Sequence, residues 1–311
     1  MGDTKIEWTE KTWNPIRARR ISNDERGWYC EHVSEGCRNC YAEKMNRNTY
    51  FGNGLEYKPS TLPQVELFLD EKILQQPLHW STPQNVFPCS MTDLFGRWVK
   101  DEWLDKIFQV MYDAKRHIFQ CLTKRPERMF DYVSRSAYLS NAPLPNVWLG
   151  VSVEDQKTAD ERIPLLLQTP AAVRWISAEP LLGPVDLSSS IGTYDCMNCG
   201  YRGFDCYEPK KAERVDGDFK CPKCGAVLEF GMAENSPSLT SLGWVVAGGE
   251  SGPKARPMHP DWARSLRDQC VAAGVPFFFK QMSKANWKDY KDFASFPSDL
   301  QIREYPNGSR S

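Results

Sequence analysis

The sequence predicts an α/β fold: a partial (β/α) barrel, TIM-like, with about six parallel strands and a small zinc-ribbon insertion. Two observations predict the barrel. From Pro83 onward short apolar runs alternate with amphipathic stretches, the pattern of strands joined by crossover helices. Each run also leads directly into a polar cluster, as strands do when they deliver side chains to the carboxyl-end face of a barrel. A third observation predicts the insertion: the block from Tyr194 to Glu229 carries five cysteines and many lysines and has no place in the alternation.

In order, the predicted strands are Asn85 to Cys89, Ile118 to Leu122, Val147 to Val151, Val173 to Ser177, Trp244 to Ala247 and Pro276 to Lys280. Between them DEWLDKIFQVMYDAK, ADERIPLLLQ and HPDWARSLRDQCVAAG repeat their apolar residues at helical spacing, which predicts a parallel sheet with right-handed crossovers. The clusters that follow the strands, SMTD, LTKRPER, SVED, SAEP, GGESG and KQ, bring Asp93, Lys124, Arg125, Glu154, Glu179, Glu250 and Lys280 toward one mouth. Helix capping, loop solvation and salt bridges among these same groups are the competing explanations. Arg17 to Tyr29 (RARRISNDERGWY) reads as a charged loop, and the tail after Ala294 has few core signals. The expected organisation is residues 1–193 for the first part of the barrel, 194–230 for the ribbon, 231–290 for the last strands and helices, and 291–311 for the tail.

A hydrophobic fraction of 41% and a charged fraction of 25% describe a globular chain, and a net charge of -1 leaves no global field for nucleic acid, only room for a local basic face. No run approaches the roughly 20 apolar residues of a membrane span, and MGDTKIEWTEKTW lacks a signal-peptide core. A cytoplasmic location is therefore expected, where eleven cysteines favour metal ligation over disulfides.

Cys30, Cys37 and Cys40 stand in CEHVSEGCRNCYAE with six and then two residues between them and no fourth cysteine nearby. Three thiolates on one loop hold three irons of a [4Fe-4S] cluster and leave the fourth iron open to a small ligand. Zinc with His32 as a fourth ligand is the alternative, as is a purely structural trio. The pair Cys37 and Cys40 opens the helical pattern CYAEKMNRNTY.

The second group, Cys196 and Cys199 in CMNC with Cys221 and Cys224 in CPKC, has the spacing of a Zn2+ ribbon, and Gly200 and Gly225 follow the knuckles. So short a segment would draw much of its folding free energy from the metal. A second iron-sulfur cluster is the other reading, and Cys206 is surplus. Tyr201, Arg202, Tyr207, Lys210 and Lys211 would suit nucleic-acid contact, or the ribbon would serve as a lid. Cys89, Cys121 and Cys270 read as buried apolar residues, and His117 has no assigned role. No serine elbow or HExxH is present, which removes the usual hydrolase readings.

The first cysteine group resembles a variant of the radical S-adenosylmethionine motif, whose usual spacing is three and then two. More widely, TWNP, GCRNCYAE, SMTDLF, LTKRPER, WLGVSVED, RIPLLL, ISAEPLLGPVDL, VVAGGESG, RPMHPDW and FFFKQ, spread over roughly residues 7–282, resemble a phage-associated family of unknown function in the radical SAM superfamily. The resemblance implies that Cys30, Cys37 and Cys40 hold the [4Fe-4S] cluster and that S-adenosylmethionine binds its open iron. It further implies an electron donor such as flavodoxin or ferredoxin, and a 5′-deoxyadenosyl radical that takes hydrogen from a substrate.

A sulfonium bearing a carboxylate, an amine and a ribose calls for acidic and basic partners, and the strand ends offer both. Glu179 suits the amine or ribose, Lys124 or Arg125 the carboxylate, and Ser152 adds a hydroxyl. Gly249 and Glu250, in the GGESG run, offer close backbone approach and a carboxylate, unless the run is only a turn needing positive φ. Lys124, Arg125 and Arg128, with Arg256 and His259, make a nucleotide or nucleic-acid substrate plausible, modified or repaired by the enzyme. The alternative class is a non-catalytic, metal-stabilised module that binds nucleic acid or protein.

Overall fold

Strands buried along their whole length fit only a sheet covered on both faces, and three of the six predicted strands are of this kind: every residue of Asn85–Pro88, Val147–Ser152 and Trp244–Gly248 is buried. The computed structural model describes residues 4–188 and 239–306, with the strand segments 193–195, 214–215, 218–219 and 229–231 between them. In chain order the first strands are β1 (Lys11–Trp13), β2 (Ile16–Arg20), β3 (Arg26–Gly27), β4 (Val65–Leu69), β5 (Asn85–Pro88), β6 (Ile118–Thr123), β7 (Val147–Ser152) and β8 (Val173–Ala178). Then come β9 (Thr193–Asp195), β10 (Arg214–Val215), β11 (Asp218–Phe219), β12 (Glu229–Gly231), β13 (Trp244–Gly248) and β14 (Phe277–Gln281). The helices are α1 (Tyr41–Arg47), α2 (Glu71–Leu74), α3 (Gln76–His79), α4 (Asp101–Asp113), α5 (Pro126–Arg135), α6 (Ala137–Asn141), α7 (Gln156–Gln168) and α8 (Pro260–Ala273).

Seven strands in the order β1-β5-β6-β7-β8-β13-β14, every neighbouring pair parallel, form the main sheet, which curls into a half-barrel. All six predicted strands are present, and β1 is the seventh. The two faces separate by alternation. Phe119, Cys121, Leu149, Val151, Ile176, Val245 and Phe277 belong to the large core shared with helix residues such as Leu104, Ile107, Met129, Ile163 and Leu266. Their neighbours Trp148, Trp175, Trp244 and Phe278 join Trp8 and Phe87 in a separate aromatic cluster on the concave face. Trp8 lies 5.2 Å from Trp175, and Trp175 lies 5.4 Å from Trp244, so rings close the barrel floor.

Two expectations need correction. The charged segment from Arg17 to Tyr29 is not a loop: β2 pairs antiparallel with β3 and β4. Ile16 and Ala18 point inward while the arginines between them stay partly exposed, and the Arg17 guanidinium lies 4.4 Å over the Trp28 ring. The chain after Ala294 also carries core: Phe296 and Leu300 are buried, Arg303 bridges to Phe278, and Tyr305 stacks on Trp244 at 5.4 Å.

In the insertion β9 pairs antiparallel with β12, and β10 with β11, so Asp195 stands opposite Glu229. Cys196, Cys199, Cys206, Cys221 and Cys224, and with them the zinc ribbon, lie outside the described residues. Cys89, Cys121 and Cys270 are buried, as expected, and burial pushes the Cys270 thiol up to about 12. His117 is buried too, its Nδ1 accepting from Gln84 N at 3.1 Å and its Nε2 lying 2.9 Å from Pro77 O. Among the described residues no helix is long and apolar enough to cross a membrane.

Candidate functional site

The cysteine loop lies over the carboxyl ends of the barrel strands. Past β3, the Tyr29 carbonyl accepts from Thr92 Oγ1 at 2.5 Å, which ties the chain beside Cys30 to the loop after β5. Cys37 ends a single 3-10 turn, Glu35–Cys37, and Cys40 is the N-cap of α1, its own N–H donating to the Cys37 carbonyl at 3.1 Å. Cys30 and Cys40 pack against Trp28, Ala42, Tyr57 and Met91, an apolar wall on one side of the loop.

The Cys30 and Cys40 thiols are both shifted by their surroundings. Burial raises the Cys30 thiol most, Asp93 adds to this, Arg125 opposes it, and Cys40 and Cys37 raise it further. Cys40 is likewise raised, by burial first and then by Cys37, against backbone N–H groups of Glu43 and Ala42 that lower it. Half-buried thiols desolvated in this way resist ionisation until a cation arrives to hold the thiolates.

Four buried carboxylates fasten the loop to the barrel. Glu154, after β7, accepts from Ser34 Oγ at 2.9 Å and from Arg162 Nη1 at 3.1 Å, and pairs with Lys124. Its burial would raise its pKa, but Lys124 and Arg162 hold it below the usual carboxylate range. A β-carbon on Gly36, in the cysteine loop, would collide with the Glu154 carboxylate, so only glycine lets loop and carboxylate approach this closely. Glu250, after β13, accepts from Asn39 Nδ2 at 3.0 Å and from Arg256 Nη2 at 2.9 Å, while Arg256 Nη1 reaches Glu35 Oε2 at 3.2 Å. Asp93 accepts from Thr123 Oγ1 at 2.6 Å and pairs with Arg125 Nη1 at 3.1 Å. Arg125 Nη2 also donates to the Glu31 carbonyl at 3.1 Å, and the Glu31 carboxylate accepts from Arg97 Nε at 2.9 Å.

Thus the strand-end residues do converge, and the salt bridges weighed against a ligand-binding role are present. Lys124, Arg125 and Glu250 are each engaged by protein partners. Ser152 and Ser177 follow the aromatic positions of β7 and β8 up the concave face and are buried. Glu179 Oε2 accepts from Trp8 Nε1 at 3.3 Å and from Ser177 Oγ at 3.2 Å. Lys280 Nζ stands 3.0 Å from Glu179 Oε1 as an ion pair, although that oxygen has no aligned hydrogen-bond donor. In the GGESG run Gly252 has φ +102°, which the turn explanation accounts for, while Gly249 abuts the backbone of Ser283 and owes its place to that close approach.

Ser34, Gly36, Asn39, Arg162 and Trp8 are site residues that motif reading did not find, because their roles depend on partners more than 100 residues away or on a buried helix position. Tyr41 is another. It is 46% exposed, yet surrounding protein raises its phenol by desolvation, with Cys40 and Glu179 adding to the effect. Its hydroxyl donates to the Ser90 carbonyl at 2.8 Å, which ties α1 to the loop after β5.

Among the described residues no three His, Cys, Asp or Glu side chains converge as ligands of one ion, and His32 Nε2 is 3.0 Å from Glu43 Oε2. A cubane takes its thiolates at separate corners, so convergence on one point is not what it needs. Cys30, Cys37 and Cys40 share one loop, with Cys30 and Cys40 against one apolar wall.

A family model described as "Protein of unknown function (DUF5131)" matches residues 3–296, nearly the whole chain. The chain belongs to this family. The match spans the cysteine loop and every strand of the half-barrel, so loop and barrel together are the family's unit. No curated protein and no solved structure matches the chain.

Proposed function

We propose that the chain is an iron-sulfur enzyme of the radical S-adenosylmethionine type, in which Cys30, Cys37 and Cys40 hold a [4Fe-4S] cluster. The observation that carries this reading is the placement of Cys30, Cys37 and Cys40 on one loop that Ser34 and Asn39 fasten over the carboxyl ends of a parallel half-barrel. A cluster held there would supply the electron for reductive cleavage of S-adenosylmethionine.

The chain's own residues do the positioning. Glu154 and Glu250 fix the two sides of the cysteine loop, and the wall of Trp28, Tyr57 and Met91 keeps water from one flank of Cys30 and Cys40. Beneath the loop the Glu179–Lys280 pair, with Ser177 bonded to Glu179 and Ser152 beside Ser177, offers the carboxylate, ammonium and hydroxyls that the amine, carboxylate and ribose of S-adenosylmethionine require. Lys124, Arg125 and Glu250 hold the loop in this scheme and bind the small molecule only if they exchange partners. The aromatic cluster fills the other end, and a reacting substrate would approach the iron-sulfur cluster at the mouth. A nucleotide or nucleic acid is the substrate class, an electron donor such as flavodoxin or ferredoxin the redox partner, and the cytoplasm the location. Cys196, Cys199, Cys221 and Cys224 would bind a structural Zn2+.

The test is anaerobic reconstitution with iron and sulfide. The expected product is brown and carries about four irons and four sulfides per chain, and Cys37→Ala abolishes the colour. A colourless protein that binds only zinc refutes the reading and favours a binding module.

A further inference from the structure

A buried indole N–H ordinarily finds an acceptor, and the chain keeps this rule at Trp8, Trp13, Trp175 and Trp244, whose Nε1 atoms donate to Glu179 Oε2, Ile73 O, Cys121 O and Glu304 O. Trp28 breaks it. The residue is 6% exposed, and among the described residues its Nε1 has no partner. Nothing else about it is loose: its backbone N–H donates to Asn46 Oδ1 at 2.8 Å, its carbonyl accepts from Asn53 Nδ2 at 3.1 Å, and the Arg17 guanidinium lies 4.4 Å over the ring. A donor left unmatched on so fixed a side chain calls for an acceptor that the protein itself does not supply.

Sulfur stands next to the ring. Trp28, Ala42, Tyr57 and Met91 form one apolar group, and Cys30 and Cys40 pack against it. Tyr29, between Trp28 and Cys30, turns the other way, its ring 5.0 Å from Trp98 in the main core. The chain therefore alternates here as a strand does, and Trp28 and Cys30 share a side. Trp98 also has an unpartnered Nε1, but it belongs to the opposite side, with Tyr29 and with the Arg125 guanidinium 4.7 Å over its ring.

The two cysteines are served unequally. Cys40 Sγ already accepts from the backbone N–H groups of Ala42 and Glu43. Cys30 Sγ instead meets the Glu31 carbonyl at 3.8 Å, an acceptor that suits a thiol and repels a thiolate. Arg125, the nearby cation, commits Nη1 to Asp93 and Nη2 to that same carbonyl. A metal-bound thiolate at Cys30 thus lacks a donor, and Trp28 has one to give.

We propose that the Trp28 indole donates its N–H to the Cys30 thiolate once a [4Fe-4S] cluster is bound, and so raises the cluster's reduction potential. A donor on a ligating sulfur stabilises the form that carries the extra electron, which is one of the means by which a protein sets an iron-sulfur potential. The proton stays on the indole nitrogen, and the cluster alone gains the electron. The inference rests on the cluster reading above and goes beyond it by giving Trp28 a role other than excluding water.

The test is an EPR-monitored redox titration of the anaerobically reconstituted full chain, with dithionite as the reductant. Trp28→Phe should make the cluster about tenfold harder to reduce, a fall of about 59 mV for one electron, and should erase one exchangeable-proton coupling from the ENDOR spectrum of the reduced cluster. Placing 3-benzothienylalanine at position 28, which keeps both fused rings and removes only the N–H, should do the same and reports the bond even if the phenylalanine variant fails to fold. Trp98→Phe should leave both readings where they are. Brown position-28 variants with unchanged potential and unchanged proton coupling overturn the hydrogen bond while the cluster reading stands, and so does an equal shift in Trp98→Phe. A colourless wild type overturns both.

Discussion

Gly36 and Glu154 meet where the cysteine loop crosses the end of β7, and the fit leaves no room for a β-carbon. Gly36→Ala must move either the loop or the carboxylate. Reconstituted iron content should fall several-fold while circular dichroism of the fold is retained; unchanged iron would show that the approach is not needed. Glu154 itself is fully buried between Lys124, Arg162 and Ser34. Removing its charge strands two cations, at a cost of roughly 3–5 kcal/mol, so Glu154→Gln should lower the midpoint of urea unfolding at neutral pH. The pH dependence follows from the depressed folded-state pKa, whose unfolded reference is 4.5. The stabilisation from Glu154 is fully present above that value and is lost as the pH falls through the lower folded value. Wild type should therefore lose stability with acid more steeply than the glutamine variant, and parallel curves would contradict the pairing. Which acidic residues stand at the mouth was legible from strand ends alone, as Asp93, Glu154, Glu179 and Glu250 show. Which of them are already matched was not, because Ser34, Arg162, Asn39 and Arg256 reach them across the fold.

At the scale of elements, the strands that could be read were those buried on both faces, since only an unbroken apolar run marks them. Strand β1 has three residues, KTW, too few for any period to show. Strand β2 alternates Ile16 and Ala18 with arginines, so its composition masks a half-buried pattern. The tail escaped notice because its apolar residues, Phe296, Leu300 and Tyr305, are spread among polar ones, yet each finds a place in or against the core. Tyr305 completes the aromatic cluster by stacking on Trp244 and meeting Phe278 at 5.3 Å. Tyr305→Ala should cost roughly 2–4 kcal/mol, measured by thermal or urea unfolding. A change below about 0.5 kcal/mol, the range of an ordinary surface substitution, would mean that the tail does not close the barrel floor.

For the whole molecule, the half-barrel has an aromatic cluster on its inner face, and the cysteine loop is fastened over the carboxyl ends of its strands. The insertion leaves the barrel after β8 and returns before β13, its ends joined through β9 and β12. Cluster and ribbon are therefore separate metal sites in this account: Cys37→Ala should lose iron and keep zinc, and loss of both metals together would contradict the separation. The most direct measurement of the central claim is the release of 5′-deoxyadenosine when the reconstituted chain is reduced in the presence of S-adenosylmethionine. The account predicts release by wild type and none by Cys30→Ala, Cys37→Ala or Cys40→Ala. A cluster-loaded wild type that binds S-adenosylmethionine, accepts the electron and leaves the molecule intact would contradict it.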